Sequence, residues 1–513
     1  MLQFFSSVLD SVLFFNLLGS LYFAEGLRRI KGESFSFPQI FSIPEQKEIP
    51  IEIGYFPDGE LYLRIKEPEK IKDNHFEVFS SLNSEEDFLR ILFTLATLKE
   101  YGAGKISLVL QNWEPEIPED EMLIYLLGIF ADMVGFLEKS SGKIKGIDVS
   151  LSPPFSKLSG PIHIDYVTYI QQRFKNDAEE AVKRIQDAQV SSLSINKISS
   201  GHWRINIPSN LRGKNIVLIH STESSKNILE LLLMLSYLRK VGVKTISLIN
   251  TYQGYARQDK VFTPGQGVTA HILLTALNHF LDHNFSVNAH YAERTGPAFL
   301  GPEIWIEKQG LRETIQTLYP QGVYNLNGFV QVTEKLMEIV KKEKGDEEFR
   351  HYPLLLISPD DGAFSYVKET AEVLKTRYGI EATTGYLNKI RISPTKVEIS
   401  GPLLGEGGKS LNLSFPLSHY WIFILDDETS TGGTLKVGTY HLVKVLGADG
   451  NKIYSGVVHG KFPKDKEKFY NLKEKELLPQ IIIALDTLPL PEGIPYASCG
   501  PLISFAIKRI LGN

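Results

Sequence analysis

One segment of the chain occurs twice at a fixed spacing, and this repeat constrains the fold more than any other feature. Residues 79–110 read FSSLNSEEDFLRILFTLATLKEYGAGKISLVL, and residues 219–250 read IHSTESSKNILELLLMLSYLRKVGVKTISLIN. The two copies are offset by 140 positions, so that Leu98 aligns with Leu238. Each copy reads as a strand end, a serine-rich helix cap, an amphipathic helix, a glycine turn and an apolar strand, which together form a βαβ crossover. The repeat therefore predicts two successive α/β units.

Looser matches extend the repeat and suggest where the domains begin and end. They pair 56–65 (FPDGELYLRI) with 198–207 (ISSGHWRINI), 146–154 (GIDVSLSPP) with 286–294 (SVNAHYAER), and 160–164 (GPIHI) with 301–305 (GPEIW). The second of these matches aligns Asp148 with Asn288. We predict domains at 11–172, 173–325 and 326–513. Because strands alternate with helices throughout, the expected class is α/β, with tandem domains whose mainly parallel sheets are flanked by helices.

The third domain contains WIFILDDETSTGGT, from Trp421 to Thr434, which has the features of a phosphate-binding turn. Its first five residues predict a strand buried on both faces, and a helical pattern starts at Leu435. The turn between them offers backbone N–H groups, hydroxyls and the positive end of a helix dipole. Asp426 and Asp427 would repel a phosphate unless ribose hydroxyls donate to them or Mg²⁺ bridges them. The stretch therefore predicts a sugar-phosphate site.

Composition and charge limit the partners that this chain can have. The net charge of the 513 residues is −5 and no basic tract is present, which argues against nucleic acid as the main partner. A single cysteine, Cys499, excludes an intramolecular disulfide and a cysteine-based zinc site, and it fits a reduced cytoplasm. The apolar run from Val12 to Ala24 is too short to span a bilayer. We interpret the apolar N-terminal segment as a docking helix followed by the first strand and helix of the fold, with a membrane-surface anchor as the alternative.

Two stretches of the sequence resemble loops of one family of enzymes. DDETSTGGT resembles the binding loop of the type I phosphoribosyltransferases and of the related ribose-phosphate pyrophosphokinases, or phosphoribosyl diphosphate synthetases. GYARQDK, from Gly254 to Lys260, closely resembles the ATP-binding loop of the pyrophosphokinases, although its spacing alone also fits a solvated polar loop. The resemblance covers nearly the whole chain from about residue 50. It implies phosphoribosyltransferase-like domains, an enzyme of nucleotide biosynthesis that uses ATP and ribose 5-phosphate, and Mg²⁺ as cofactor.

The resemblance also implies roles for residues at matching positions. The implied ATP-binding residues are Phe56, Asp58, Glu60, Arg257, Gln258, Asp259 and Lys260. The implied ribose 5-phosphate-binding residues are Asp426, Asp427, Ser430, Thr431, Gly432, Gly433 and Thr434. His290 and Asp360 match metal-site positions, and Lys389 and Arg391 match the basic pair of a catalytic flap. From the pattern alone, His290 also fits a structural histidine, Asp360 a turn or helix cap, and the basic pair an exposed strand face.

The chain departs from the family pattern in several places. The family has one N-terminal domain of this kind, whereas two are expected here, and the first has NWEPEIPEDEM in place of GYARQDK. Asn288 and Ser430 replace aspartates that are usual in the family, and Ala363 replaces a glycine. Three interpretations of the function are therefore considered.

We predict a ribose-phosphate diphosphokinase that transfers diphosphate from ATP to the 1-hydroxyl of ribose 5-phosphate, giving phosphoribosyl diphosphate and AMP. The departures favour a non-catalytic regulatory subunit as the alternative. A phosphoribosyltransferase is a further alternative, but GYARQDK argues against it because such enzymes need no ATP loop. We expect a homo-oligomer in the cytoplasm.

The two halves of the implied adenine pocket lie in different copies of the repeat. Asp58 and Glu60 are in the first copy, whereas Arg257 and Gln258 are in the second. In the family, these halves come from neighbouring subunits. We therefore predict that domains 1 and 2 pack as a pseudo-twofold pair and that one chain forms one ATP site, in which Asp58 or Glu60 accepts from the adenine amino group. An exposed FPDGE turn on a structural cap is the alternative.

Overall fold

The computed structural model describes residues 37–42, 45, 47–56, 59–111, 113, 118–137, 144–148, 162–166, 189–192, 194–197, 203–206, 211–261, 263–300, 303–306, 311–314, 321–393, 396–429, 432–462 and 479–510. The apolar N-terminal segment lies outside these residues, as do Asp58, Ser430 and Thr431. Within the described ranges, no helix is both long enough and apolar enough to cross a membrane.

The described helices and strands alternate along most of the chain. The helices are α1 (Glu85–Glu100), α2 (Pro118–Leu127), α3 (Ser225–Lys240), α4 (Thr269–Asn278), α5 (Phe329–Lys344), α6 (Asp346–His351), α7 (Phe364–Tyr378), α8 (Gly433–Tyr440) and α9 (Gly500–Ile510). The strands are β1 (Gln39–Ser42), β2 (Lys47–Ile49), β3 (Ile51–Tyr55), β4 (Leu61–Ile65), β5 (His75–Ser81), β6 (Lys105–Gln111), β7 (Met133–Leu137), β8 (Ile144–Asp148), β9 (Ile162–Tyr166), β10 (Gln189–Ser192), β11 (Ser194–Lys197), β12 (Trp203–Asn206), β13 (Asn215–His220), β14 (Thr245–Asn250), β15 (His283–Val287), β16 (Gly296–Leu300), β17 (Glu303–Ile306), β18 (Leu311–Thr314), β19 (Gln321–Leu326), β20 (Leu354–Ser358), β21 (Ala382–Tyr386), β22 (Lys389–Ser393), β23 (Lys396–Ile399), β24 (Trp421–Thr429), β25 (Ile453–Gly460), β26 (Ile482–Leu485) and β27 (Tyr496–Ala497).

The first two large sheets contain the same succession of elements. Their strand orders are β2-β1-β5-β6-β7-β8 and β10-β9-β13-β14-β15-β19-β16. In the first sheet, β5, β6 and β7 are parallel neighbours joined through α1 and α2. In the second, β13, β14 and β15 are parallel neighbours joined through α3 and α4. The predicted crossovers are therefore present in both copies, and Ser84 and Ser224 cap α1 and α3 at matching positions.

Two of the looser sequence matches do not join equivalent strands. β15 follows α4 and runs parallel to β14, so its counterpart in the first sheet is β7, which follows α2 and runs parallel to β6. Asp148, which the sequence aligns with Asn288, instead ends the antiparallel edge strand β8, opposite Met133. Ile162–Tyr166, assigned from sequence to the first domain, pairs with β13 in the second sheet. A short apolar sequence of this kind predicts a strand, but it does not indicate which sheet the strand joins.

The third large sheet is parallel throughout, with the order β21-β20-β24-β25-β26-β27. Helices α5 and α7 pack on this sheet. Four two-stranded hairpins stand apart from the large sheets: β3 with β4, β11 with β12, β17 with β18, and β22 with β23. The expected class, α/β with mainly parallel sheets flanked by helices, is confirmed.

The helices of the first two sheets pack against each other as a reciprocal pair. α1 contacts α3, its own counterpart in the repeat, while α2 contacts α3 and α4 contacts α1. Reciprocal contacts of this kind are typical of a pseudo-twofold interface. One hydrophobic core runs through it and includes Phe88, Leu92, Leu232, Leu235 and Phe280, each at most 1% exposed. Burial of each side chain of this size stabilises the fold by about 1.5–3 kcal/mol. Because the core is continuous across the interface, this burial also holds the two units together.

The hairpin of β3 and β4 reaches across this interface. Ile65 N–H donates to Gly265 O at 2.8 Å, and Gly267 N–H donates to Leu63 O at 3.2 Å. These bonds add a short strand-like segment, just before α4, to the edge of the hairpin. As a result, β4 is hydrogen-bonded to the segment that leads into α4 of the second unit.

The second sheet packs through its other face on the third. Ile219, Ile249 and Phe285 of the second sheet share one core with Phe329 and Ile503, which lie on α5 and α9. α9 also contacts β14 and β15. The two sheets are therefore fixed relative to each other by apolar burial.

Gly265 provides a test of the hairpin contact. Its φ is +84°, and a Cβ there would lie 1.8 Å from Ile65 O. Gly213 is the matched control, because its φ is +74° and nothing lies within 4 Å of its Cβ position. Alanine at either position incurs about 1–2 kcal/mol of left-handed backbone strain, and overpacking adds about 1–3 kcal/mol at Gly265 alone. We expect Gly265→Ala to lower the midpoint of thermal unfolding, followed by circular dichroism, more than Gly213→Ala. Equal shifts would contradict the hairpin contact.

Candidate functional site

β24 ends in three consecutive acidic residues, Asp426, Asp427 and Glu428. The strand continues to Thr429, beyond Leu425 where the sequence predicts its end. The reason is that β25 pairs with it along this whole length. Asp426 is only 8% exposed. The acids are therefore held on a rigid strand, and each requires compensation for lost hydration.

The glycine pair that follows forms the start of α8. Gly432 has a φ of +70°, and the helix begins at Gly433 with no side-chain cap. Lys436 N–H donates to Gly432 O at 3.0 Å. A helix N-terminus without a cap presents the N–H groups of its first turn, here including that of Thr434, to an anion.

Asp427 pairs with His290, which follows β15 of the second sheet. Asp427 Oδ2 lies 2.7 Å from His290 Nδ1. Burial disfavours the imidazolium, but the Asp427 carboxylate outweighs burial and raises the pKa of His290. Burial likewise disfavours the carboxylate, but His290 holds the pKa of Asp427 well below its usual range. The contact joins the second sheet to the third at the predicted site.

The preceding turn places His290. Asn288 has a φ of +38°, which is uncommon for a residue with a side chain. Its Oδ1 accepts a hydrogen bond of 2.6 Å from Gly328 N–H, which holds the turn.

Asp426 interacts with a second pair, Asp360 and Lys389. Lys389 Nζ lies 2.9 Å from Asp360 Oδ2. Burial and the neighbouring Asp427 carboxylate raise the pKa of Asp426 well above its usual range, and Lys389 opposes this rise. Arg391 lies two positions beyond Lys389 on β22, opposite Val397.

The carboxylates at this site fit a magnesium ion that takes its remaining ligands from substrate and water. Asp360, Asp426 and Asp427 are oxygen donors, which Mg²⁺ prefers, and burial together with repulsion from the neighbouring carboxylates raises the pKa of Asp426. Among the residues that the structure describes, no group of three His, Cys, Asp or Glu side chains is arranged to enclose a metal ion. A cation here would therefore take further ligands from substrate phosphates and water.

The loop from Gly254 to Lys260 is held tightly against the second sheet. A Cβ on Gly254 would lie 2.1 Å from Thr222 O, so the backbone approach requires glycine. Asp259 is partly exposed and Lys260 is exposed at the far end of the loop.

Arg257 and Gln258, in the middle of that loop, have different environments. The Arg257 side chain is 36% exposed, and its Nη1 lies 3.4 Å from Glu428 Oε1. Gln258 is 3% exposed, and its Nε2 donates to Leu61 O at 3.0 Å. Arg257 is thus oriented toward β24, whereas the amide nitrogen of Gln258 holds the hairpin of β3 and β4.

Glu60, which directly precedes β4, contacts this segment. Tyr255 N–H donates to Glu60 Oε1 at 2.8 Å, although the two residues are 195 positions apart in sequence. Glu60 is 7% exposed. Phe56 packs on Tyr62 with 5.2 Å between ring centroids. Two segments that the sequence predicts to be halves of one pocket therefore meet within one chain.

Sequence reasoning missed four residues of this region: Tyr252, Glu428, His459 and Lys461. His459 is buried with Nδ1 2.9 Å from Thr487 Oγ1 and Nε2 3.0 Å from Val287 O, and burial lowers its pKa to about 4. For two of them the position in the sequence was an available signal, since Glu428 extends an acidic pair and Lys461 directly follows β25.

The His290–Asp427 pair has a measurable consequence. The pKa of His290 in the folded protein is raised above its ordinary value of 6.5. Its contribution to the free energy of unfolding is therefore fully present below pH 6.5 and is lost as the pH rises through the folded pKa. We expect Asp427→Asn to bring the pKa of His290 below 6.5, since burial then acts without the carboxylate. Imidazole NMR titration measures this shift, and exposed Asp361→Asn is the control. An unchanged pKa in Asp427→Asn would contradict the pairing.

Comparison with known proteins gives several matches to one family. A family described as the N-terminal domain of ribose phosphate pyrophosphokinase matches residues 169–280. A ribose-phosphate pyrophosphokinase of Thermoplasma acidophilum is 25% identical over 272 residues, which are 53% of this chain and 76% of that protein. One from Halalkalibacterium halodurans is 25% identical over 339 residues, covering 66% of this chain and 91% of that protein.

A crystal structure of phosphoribosylpyrophosphate synthetase from Mycobacterium smegmatis aligns with 69% of this chain and 99% of its own, at 18% identity and a TM-score of 0.46. The chain is thus similar to ribose-phosphate pyrophosphokinases, and residues 169–280 match the N-terminal domain of that family.

Proposed function

We propose that this chain is a ribose-phosphate diphosphokinase, which transfers the terminal diphosphate of ATP to the 1-hydroxyl of ribose 5-phosphate. The observation that carries the proposal is that two loops of the second sheet meet the acidic end of β24 in the third sheet. His290 and Arg257, from the second sheet, lie 2.7 Å from Asp427 and 3.4 Å from Glu428 of the third. The relatives that align with most of their own length bear the name of this activity.

Ribose 5-phosphate would lie at the carboxyl end of β24. Gly432, Gly433 and Thr434 would bind its phosphate through the N–H groups that open α8, together with Ser430 and Thr431. Asp426 and Asp427 would accept hydrogen bonds from the ribose hydroxyls. Carboxylates held on a strand need little reorganisation to do so, which favours orientation of the sugar.

ATP would lie between this site and the first two sheets. Arg257 would bind its phosphates, with Asp259 and Lys260 near the exposed end of the loop, and Phe56 would contact adenine. We assign Gln258 and Glu60 to the shape of the pocket, because each already holds the two loops together. Mg²⁺, held with ATP by Asp360 and His290 directly or through water, would neutralise phosphate oxygens.

The transfer itself requires positioning and charge stabilisation. The 1-hydroxyl oxygen of the sugar bonds to the β-phosphorus of ATP, the bond from that phosphorus to the AMP oxygen breaks, and the hydroxyl proton passes to water. Negative charge grows on the transferring group and on the AMP oxygen. Lys389 and Arg391 would stabilise that charge. Because ATP and sugar phosphates are metabolites of the cytoplasm, we place the reaction there.

A direct assay tests the proposed activity. Purified protein is incubated with ATP, ribose 5-phosphate and Mg²⁺, and we expect AMP and phosphoribosyl diphosphate in equal amounts. Omission of ribose 5-phosphate should abolish both products. AMP formed without phosphoribosyl diphosphate, or no product at all, would contradict the proposal.

Lys389 should act mainly in the transition state. We expect Lys389→Ala to lower kcat roughly 100- to 1,000-fold while the Kd for ATP changes little, because the lysine stabilises charge that develops only during transfer. Lys375→Ala, which removes an exposed lysine paired with Glu381, is the control and should leave both values unchanged. Equal losses of turnover and binding in Lys389→Ala would reject this role.

We further propose that the ATP site is assembled within one chain. The contact between Tyr255 and Glu60 and the reciprocal packing of α1 with α3 support this assignment. Intramolecular assembly does not depend on protein concentration. Any homo-oligomer would then repeat complete sites.

Mixing two impaired variants separates assembly within a chain from assembly between chains. Phe56→Ala and Arg257→Ala each impair one half of the proposed site, and we expect their co-expressed mixture to show only the mean of the two activities. If the halves came from different chains, mixed assemblies would contain some intact sites. Recovery of activity above that mean would therefore overturn the proposal.

A further inference from the structure

Four charged residues from distant parts of the chain meet beside the predicted nucleotide loop. Lys461 Nζ lies 3.2 Å from Glu60 Oε1 and 3.7 Å from Glu428 Oε1. Arg257 Nη1 approaches Glu428 Oε1 from another side, at 3.4 Å. Tyr252 Oη donates to Glu428 Oε2 at 3.2 Å. We call these four charged residues, Glu60, Arg257, Glu428 and Lys461, the charge cluster.

The members of the charge cluster differ in exposure. The side chains of Glu60 and Glu428 are 9% and 8% exposed, and that of Lys461 is 15% exposed. Arg257 is the outlier at 36%. Glu428 is thus a nearly buried carboxylate with one enclosed cation and one cation on the solvent side.

Lys461 is fixed in place independently of Arg257. Its backbone N–H donates to Thr429 O at 2.8 Å, next to Glu428 itself. Its Nζ lies 5.0 Å from the ring centroid of Tyr252, a cation–π distance. Arg257 instead stands on a loop with its guanidinium at the edge of the cluster, where it can exchange one anion for another.

This arrangement makes Glu428 a competitor of any phosphate for Arg257. A guanidinium that turns toward phosphate leaves a carboxylate at 8% exposure, and an unpaired buried carboxylate is costly. Lys461, which stays near Glu428, reduces that cost. We propose that Lys461 is a positioning residue that keeps Glu428 neutralised, so that Arg257 can leave Glu428 and bind the phosphates of the nucleotide. The inference rests on the proposed function for the identity of the nucleotide, whereas the competition itself does not.

Three variants test the competition through ATP kinetics. We expect Lys461→Met to raise KM for ATP about tenfold, because Glu428 then retains Arg257, and Glu428→Gln to lower it. The double variant should show the lowered KM of Glu428→Gln alone, since without the carboxylate the lysine has no further effect on Arg257. The value of kcat should change less than KM in each case. Lys368→Met is the matched control, because Lys368 Nζ lies 3.2 Å from Glu406 on the surface.

A different rescue would identify a different role. Lys461 also contacts Glu60, and it therefore has the geometry to anchor the hairpin of β3 and β4. If Glu60→Gln, rather than Glu428→Gln, restores KM in Lys461→Met, the lysine anchors the hairpin and the proposal is wrong. Failure of both rescues would also overturn it.

A second measurement works without nucleotide and without activity. Phenylglyoxal modifies accessible arginines, and mass spectrometry of peptides gives the rate at Arg257 in the full-length protein. We expect slower modification than in the wild type in Lys461→Met, faster modification in Glu428→Gln, and no change in Lys368→Met. Unchanged rates at Arg257 in both cluster variants would overturn the inference. Changed rates in a protein that forms no product would leave the competition standing and reject the proposed function.

Discussion

The site depends on one constraint, the partial or nearly complete removal from water of three successive carboxylates at the end of a central strand. Carboxylates removed from water require cations, and no single neighbouring element supplies enough of them. Asp426 interacts with Lys389 of the third domain, Asp427 with His290 of the second, and Glu428 with Arg257 and Lys461. Each acid thus fixes the position of a segment distant in sequence, so the same interactions that compensate the charges also assemble the site.

Much of this organisation was predictable because it follows from periodicity and local chemistry. The repeat predicts both βαβ crossovers, since a helix cap, an apolar stripe and a glycine turn are local signals. The strand before Asp426 and the helix after Gly433 follow in the same way. The prediction fails where tertiary pairing decides, as for Ile162–Tyr166, which joins the second sheet, and for β24, which β25 extends to Thr429.

The partners of charged residues were the least predictable part of the site. Gln258 has the amide pattern to pair with an adenine edge. In the structure its Nε2 donates instead to Leu61 O, a backbone acceptor from a hairpin that is distant in sequence. Nothing in the sequence distinguishes Lys461 from the other lysines and arginines, which number 55 in all. It becomes important only once Glu60 and Glu428 converge on it. Spacing along a chain reports which groups share an element, but it does not report which elements meet.

The core shared by the first two sheets has a consequence for synthesis of the chain on the ribosome. The apolar residues of α1, among them Phe88 and Leu92, are buried with those of α3 and with Phe280, which follows α4. Until the segment through Phe280 has emerged, the side chains of α1 that pack on α3 and Phe280 lack those partners. A nascent chain stalled before that point would expose it, and exposed apolar stripes are the surfaces that chaperones bind and that aggregate. The first unit therefore matures only together with the second.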